Sequence, residues 1–447
     1  LSSMAANVSH GPGDPILGVW EAFKEDPRPG KDNPNGVIGV GAYEPQLGKD
    51  LVLPAVKKAE KRLALDREGN IEFREIKEYL PIHGLPEFRE AIAKLLFGAR
   101  SPKLKFKRVR VVQTLGGTGA LRLAADFLAN PGDGSRGREV LVPTPTWPNY
   151  KRDIFWAAGV EVIVPYHYYK DENNFGLDFE ALEAAIEKAP EKNIKTKVLL
   201  HNNPHNPTGT DPTREQLKKI ADVVKEKNIL LLSDEAYQGF VFGSLDEDAA
   251  SVAEFAEEVK EEMECNGDEL LVVQSFSKNF GLYGWRVGAI YVVNPRIGDA
   301  VISAAAKMSS AGRVSSQLQA LARAMYSNPD FPPDHGAEIV ARILERRDLF
   351  TSWLEEVKGM ACRIPNGRLY LWMDLRKLLK EEDDWSHIIE QEGMFSFTWL
   401  LNEEQVNVSP GSEFHIYEPG WGRISLAGLS EANVEEAAER IRAFVKR

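Results

Sequence analysis

Along this chain, short runs of apolar, β-type residues alternate with longer stretches whose apolar positions recur at helical spacing. Seven such runs stand out: Val109 to Val112, Val140 to Val142, Val160 to Val164, Val198 to Leu200, Ile229 to Leu232, Leu270 to Val273 and Ala289 to Val293. A short continuous apolar run suits a strand buried on both faces. Strands of that kind separated by helices predict an α/β fold with a mostly parallel seven-stranded sheet flanked by helices. One helix is marked by Ala120, Leu123, Ala124, Phe127 and Leu128 and stopped by Asn130-Pro131-Gly132. Another is marked by Leu217, Ile220, Ala221 and Val224, after the capping-box pattern Thr213-Arg-Glu-Gln216. From about Ala337 to Arg447 the pattern changes to two or three long amphipathic helices with short strands between them. This predicts a smaller α+β domain built from both termini. The boundaries read as 1–50 for an N-terminal arm and part of the small domain, 51–355 for the large domain and 356–447 for the small C-terminal domain. The acidic run Glu381-Glu-Asp-Asp384 reads as a solvated turn.

A chain of 447 residues is too long for one simple core, which supports the two-lobe reading. Hydrophobic residues at 43% and charged residues at 27% place it among ordinary globular proteins. The net charge of −12 disfavours nucleic acid and anionic membrane surfaces as partners, while leaving room for a local basic pocket. The cysteines, Cys265 and Cys362, have no metal-ligand spacing and suit a reducing compartment. No apolar run approaches the roughly 20 residues of a membrane span. Residues 1–7 show no secretory pattern, Met4 reads as the initiator, and no arginine precedes Arg28; a cytoplasmic protein is expected.

Four stretches carry chemistry. In Ser275-Phe-Ser-Lys278, which follows an apolar run, a lysine sits between hydroxyls and Arg286. A lysine amine forms a Schiff base with an aldehyde when its surroundings hold its pKa below about 10.4. Arg286, Ser275 and Ser277 supply donors for a phosphate. An aldehyde that carries a phosphate is pyridoxal phosphate (PLP). The competing reading is a charged loop beside a buried strand. Leu115-Gly116-Gly117-Thr118-Gly119, between a strand and a helix, offers backbone amides and a helix N-terminus to an anion. Arg122 occupies the place of a third dinucleotide glycine and the next strand runs into Pro143, so a monophosphate cup fits better than a dinucleotide site. A plain strand–helix turn is the alternative.

His201-Asn-Asn-Pro-His205-Asn206-Pro-Thr-Gly209 follows the fourth strand. Pro204 breaks any helical pairing of the histidines, so no metal is expected, and Asn206 stands where open α/β sheets place ligands. A turn would use the same residues. Leu230-Leu-Leu-Ser-Asp234-Glu235-Ala-Tyr237 ends an apolar strand in carboxylates. A buried carboxylate needs a cationic partner, and a protonated pyridine nitrogen serves. Asp234 and Glu235 both qualify, and a helix-capping Asp is the bland option. Trp147, just past the second strand, can stack on a flat cofactor or fill core.

Taken together and in order, these stretches resemble the fold-type I PLP enzymes, specifically the aspartate aminotransferase subfamily. The resemblance runs from Gly39-Val-Gly-Ala-Tyr43 to Arg423-Ile-Ser-Leu-Ala-Gly428 and includes Tyr79-Leu-Pro-Ile, His205-Asn-Pro-Thr-Gly-Thr-Asp-Pro212, Ala236-Tyr-Gln-Gly-Phe240 and Gly393-Met-Phe-Ser-Phe397. It implies Lys278 as the Schiff-base and proton-transfer lysine, and Asp234 as partner of the pyridine nitrogen. Tyr237 and Asn206 would meet the ring oxygen, and Trp147 would stack on the ring. Gly117, Thr118, Ser275 and Arg286 would form the phosphate cup, completed by Tyr79 of a neighbouring subunit in a homodimer. Arg423 would grip the α-carboxylate and Arg323 the distal carboxylate across the interface, with Gly41, Trp147 and Asn206 also in the substrate site. The implied reaction is transamination between L-aspartate and 2-oxoglutarate, giving oxaloacetate and L-glutamate; an aromatic aminotransferase is the alternative within the family. Ser275-Phe-Ser-Lys278 also fits the Ser-x-x-Lys of penicillin-binding acyl enzymes, but no Ser-Asp-Asn or Lys-Thr-Gly accompanies it. A non-catalytic binding protein on this fold would be expected to lose Lys278. Three departures from the family pattern occur: Tyr150 where many relatives have a histidine, Trp399 in place of a glycine, and Gly284-Trp285 before Arg286.

Overall fold

In a computed structural model of the protein, the described residues are 38–39, 48–67, 80–93, 110–129, 139–160, 162–171, 174–188, 197–210, 212, 214–237, 270–307, 313–326, 331–354, 361–363, 365, 369–374, 376, 405–416, 418, 420–427 and 431–445. The strands are β1 (Ile38–Gly39), β2 (Arg110–Leu115), β3 (Glu139–Thr144), β4 (Val162–His167), β5 (Tyr169–Asp171), β6 (Asn174–Leu177), β7 (Lys197–Asn202) and β8 (Leu230–Asp234). They continue with β9 (Leu270–Ser275), β10 (Val287–Val292), β11 (Ala361–Arg363), β12 (Tyr370–Asp374), β13 (Val406–Asn407), β14 (Ser409–Pro410) and β15 (Trp421–Ser425). The helices used below are α1 (Lys49–Arg67), α2 (Pro86–Ala93), α3 (Gly116–Ala129), α4 (Phe179–Glu187), α5 (Arg214–Glu226), α6 (Phe276–Asn279), α7 (Pro295–Lys307), α8 (Ser316–Tyr326), α9 (Phe331–Leu354) and α10 (Glu431–Val445).

Each of the seven apolar runs became a strand of one seven-stranded sheet, ordered β2-β10-β9-β8-β7-β3-β4. Of its six neighbour pairs, β8–β9, β7–β8, β3–β7 and β3–β4 are parallel, and β10 alone runs against its neighbours β2 and β9. The period-two pleat sorts side chains cleanly. Val140, Val198, Leu200 and Leu232 enter the core beneath α3 and α7, while Leu141, Leu199 and Leu231 enter the core beneath α4 and α5. On α3, Ala120, Leu123, Ala124 and Leu128 are buried and Phe127 packs partly against them. On α5, Leu217, Ile220, Ala221 and Val224 are all buried. Full burial of each larger side chain there stabilises the fold by roughly 1.5–3 kcal/mol. Helix starts are capped where residue type allows: Asp178 accepts from the Ala181 amide at 3.0 Å, and Asn294 Oδ1 accepts from the Arg296 amide at 2.7 Å ahead of Pro295 in α7. Thr213 and Glu381–Asp384 lie outside the described residues.

A separate four-stranded sheet, β11-β12-β15-β14, lies under α9 and α10. Its core joins Ile339, Ile343 and Phe350 of α9 to Leu371, Ile424, Val434 and Ile38. β1 pairs in parallel with β13, so a segment near the N-terminus completes a unit made mostly by the C-terminal part of the chain.

Candidate active site

The C-terminal ends of the parallel strands open onto a cavity of about 410 Å³, a size suited to a small cofactor with its substrate. Its floor is assembled strand by strand. Because β10 is antiparallel, its beginning lies beside the ends of β2 and β9: Val287 pairs with Leu115 and Gly288 with Ser275. Arg286, Gly116 and Ser275 are therefore brought together by sheet register. Gly116 has φ +70, and a Cβ on it would stand 2.6 Å from Arg286 Nη2. A Cβ on Gly288 would stand 2.5 Å from the Gly116 carbonyl carbon, so both positions demand glycine. Arg286 itself adopts φ 52, a left-handed conformation that costs a non-glycine residue about 1 kcal/mol. It is held by hydrogen bonds from Nη1 to the Tyr283 carbonyl (3.0 Å) and to Ser277 Oγ (3.3 Å), and from Nη2 to the Leu115 carbonyl (3.4 Å). Gly284-Trp285 forms the tight turn that delivers it, with Trp285 packed against the neighbouring core. Gly117 and Thr118 at the start of α3 face the same space. The result is a guanidinium, hydroxyls and helix N-terminal amides at one end of the cavity, which is what a phosphate requires.

Lys278 sits on the short helix α6, whose N-cap Ser275 accepts from the Ser277 amide at 3.2 Å. Its ammonium lies 6.0 Å from the centre of the Tyr237 ring, inside the cavity. Asp234 ends β8 in mid-sheet, 5% exposed. Its Oδ1 accepts from the Ala236 amide (3.1 Å) and its Oδ2 from the Tyr150 hydroxyl (2.5 Å). Glu235 is fully buried, accepts from Ser233 Oγ at 3.0 Å, and is absent from the cavity wall. The geometry therefore separates two carboxylates that the sequence left level. Tyr150 is also fully buried, edge-on to Trp147 with ring centres 5.1 Å apart. It takes the position that the family pattern gives to histidine and keeps a donor on the aspartate.

Arg423, on β15 and 3% exposed, donates from Nη1 to Asn206 Oδ1 at 3.0 Å and from Nη2 to Ser409 Oγ at 3.4 Å. Its guanidinium lies 4.3 Å from the Tyr370 ring centre and 4.7 Å from that of Phe414. Asn206 is in turn fixed by its own amide donating to Asn202 Oδ1 (2.9 Å). His205 stacks flat on Tyr168, ring centres 3.7 Å apart, and shares a hydrogen bond with Thr208. Arg323 lies half-buried on α8 and does not line this cavity. Gly41, Tyr79 and Trp399 lie outside the described residues. The cavity wall also contains Tyr370, Phe414, Glu413 and Ser277; the first three come from the C-terminal unit and belong to no local motif.

The cavity thus offers a glycine–arginine cup suited to a phosphate, with a lysine and a buried carboxylate in the same wall, at the strand ends of an α/β sheet. The family model for aminotransferases of class I and II matches residues 35–441, and the chain belongs to that family. An enzyme named aspartate aminotransferase 1 from Medicago sativa is 45% identical over 100% of this chain and 96% of its own length. A chloroplastic aspartate aminotransferase from Arabidopsis thaliana is 46% identical over 97% of this chain and 86% of its own. A protein named 1-aminocyclopropane-1-carboxylate synthase from Glycine max is 40% identical over 100% of this chain and 88% of its own. The solved structure of an aspartate aminotransferase from Thermotoga maritima superposes with a TM-score of 0.74 over 100% of both chains at 24% identity.

PLP is the cofactor of this family, and the residues present fit it. The cup of Gly117, Thr118, Ser275, Ser277 and Arg286 would hold its phosphate, the buried Asp234 its pyridine nitrogen, Tyr237 and Asn206 its ring oxygen, and Trp147 its face. Tyr150→Phe keeps the buried ring and removes only the donor to Asp234. It is expected to lower kcat about tenfold and to weaken PLP retention, since a hydrogen bond to a charged group contributes about 1.5–3 kcal/mol. Equilibrium dialysis against PLP with steady-state rates checks this; unchanged retention and rates would make the contact incidental.

His415, which follows the cavity residues Glu413 and Phe414, carries a pH signature. Burial, with Lys151 and Arg152 nearby, pushes its imidazole down to about 4, against a backbone hydrogen bond at Pro148 that acts the other way. The unfolded chain binds that proton near pH 6.5, so between about 6.5 and 4 it holds more protons than the folded chain. Stability supplied by neutral His415 is therefore full above about pH 6.5 and falls by up to about 3 kcal/mol as pH drops toward 4. Urea midpoints at pH 7.5 and 5 should diverge more for the native protein than for His415→Gln. Equal shifts would refute the assignment.

Proposed function

We propose that this protein is a PLP-dependent aspartate aminotransferase, exchanging the amino group between L-aspartate and 2-oxoglutarate. The observation that carries the reading is that one cavity is lined by Lys278, Asp234 and a buried Arg423 guanidinium held by Asn206. Bound PLP supplies an electron sink for the bond-breaking at the substrate Cα. Lys278 Nζ then moves the proton at that carbon, the role of a positioned general base. Asp234 keeps a positive charge on the pyridine nitrogen, and its two oxygens are already oriented by Tyr150 and the Ala236 amide. Arg423 takes the α-carboxylate as a planar two-point fork, its direction set by Asn206 and by the Tyr370 and Phe414 rings it lies over. The relatives named as aspartate aminotransferases support the same substrate.

A homodimer is part of this reading. Arg313 Nη1 donates to the Leu80 carbonyl (3.2 Å) and the Leu85 amide donates to Gln319 Oε1 on α8 (2.8 Å). The segment following Tyr79 thus lies against the helix that carries Arg323, and neither contributes to the lining of this chain's own cavity. A contribution of Arg323 from this face suits donation to a partner's site across a two-fold axis. A cytoplasmic location is proposed with it; among the described residues no helix is long and apolar enough to cross a membrane.

The test is turnover by the PLP-loaded protein with aspartate and 2-oxoglutarate, followed through oxaloacetate, against phenylalanine at equal concentration. Efficient turnover of aspartate supports the proposal. A preference for phenylalanine would move the protein to the aromatic aminotransferases, and no transamination with either would overturn it.

A further inference from the structure

Tyr370 is fully buried on β12, in the C-terminal unit, yet its side chain lines the cavity. Its hydroxyl is 2.8 Å from the Tyr237 hydroxyl, and the two rings meet edge-on with centres 5.8 Å apart. Its ring face also carries the Arg423 guanidinium at 4.3 Å. The sheet register explains both contacts. Tyr370 pairs with Ser425, and Trp372 with Arg423, so Tyr370 and Arg423 are diagonal neighbours on one face of the sheet. One side chain therefore touches the phenol on the cofactor side and the guanidinium on the substrate side.

A phenol can donate one hydrogen bond, and its hydrogen rotates to whichever acceptor is present. With Tyr370 donating to Tyr237, the Tyr237 hydrogen is turned away from Tyr370 and into the cavity. We propose that Tyr370 is a positioning residue for the reaction: its hydroxyl aims the Tyr237 hydroxyl at the bound group, and its ring sets the plane of Arg423. This rests on the PLP-dependent reading of the site given above.

Five proteins test it: native, Tyr370→Phe, Tyr237→Phe, the double variant and Tyr370→Leu, each loaded with PLP. The first readout is the pH midpoint of the bound cofactor's visible absorbance, which needs no turnover. The second is kcat and KM with aspartate. Tyr370→Phe should move the midpoint upward, because the ring oxygen loses an aimed donor, and should lower kcat roughly fivefold to tenfold with little change in KM. In the Tyr237→Phe background the same change should add less than about twofold, since there is no hydroxyl left to aim. Tyr370→Leu, which removes the ring, should raise KM for aspartate and phenylalanine alike, because both carry the α-carboxylate that Arg423 grips. An unchanged midpoint in Tyr370→Phe, or an equal loss in both backgrounds, overturns the proposal. A native protein with no PLP absorbance to titrate would overturn the reading of the site itself, and this proposal with it; that outcome is visible before any variant is compared.

Discussion

Lys278→Ala is expected to lower kcat by several orders of magnitude while leaving the fold intact. The two halves of that expectation come from different observations. Lys278 is half-buried on a four-residue helix whose start is fixed by Ser275, so loss of its side chain leaves the cap and the strand β9 in place. Its Nζ is the one amine lining the cavity that holds Asp234, Tyr237 and Arg423 among the described residues. Removing a positioned acid–base group alone costs about 10²- to 10⁴-fold, and loss of the covalent attachment of the cofactor adds to it. The phosphate cup does not include Lys278, so the variant should still take up PLP, with weaker retention. Lys278→Arg should be nearly as inactive: a guanidinium keeps the charge but stays protonated and cannot serve as the nucleophile. Stopped-flow and steady-state rates with aspartate, together with circular dichroism to verify folding, give the answer. A variant within about tenfold of native turnover would take the catalytic role from Lys278.

How much of this could be read in the residues depended on whether a feature was local. The seven apolar runs were legible because each is short, continuous and separated by helical periodicity, and all seven are strands of one sheet. The direction of β10 was not legible. A strand buried on both faces looks the same whichever way it runs, yet that reversal is what brings Arg286 beside Gly116 and Ser275. Motifs at strand ends were legible for the same reason as the strands: Gly116–Thr118, Asn206, Asp234 and Ser275–Lys278 each follow an apolar run at the sheet edge where such folds bind ligands. The choice between Asp234 and Glu235 needed side-chain direction, since neighbours on a strand end point to opposite faces. Tyr370 carried no local signal at all. It lies 133 residues from the tyrosine it contacts, on a strand whose five residues are all buried. Only the packing of the two units reveals it. Tyr150 is the intermediate case: the sequence marked it as a departure, and the geometry shows that a phenol there still donates to Asp234.

Specificity supplies the second large effect. Arg323→Ala is expected to lower kcat/KM for aspartate by two to three orders of magnitude and for phenylalanine by far less. A guanidinium paired with a carboxylate in a closed site leaves an uncompensated charge when it is removed, at a cost of about 3–5 kcal/mol. At about tenfold per 1.4 kcal/mol, that cost gives the stated loss, and it falls only on a substrate with a distal carboxylate. Arg423→Ala should instead impair both substrates, because both present an α-carboxylate to the Asn206-anchored fork. The position of Arg323 adds a condition. It stands on α8 beside the Leu80–Leu85 segment and away from the cavity of its own chain, so its proposed target is the partner's substrate. Dimers mixed from Lys278→Ala and Arg323→Ala chains then have unequal sites. One site lacks both groups, while the other combines a native Lys278 with a native Arg323 from across the interface. Each parent dimer should be nearly inactive with aspartate, and the mixed dimer should recover up to about half of native activity per site pair. Recovery absent on mixing, with exchange of subunits verified by mass spectrometry, would place Arg323 in its own chain's site. Equal losses for aspartate and phenylalanine in Arg323→Ala would make the residue structural and remove the main support for a dicarboxylic substrate.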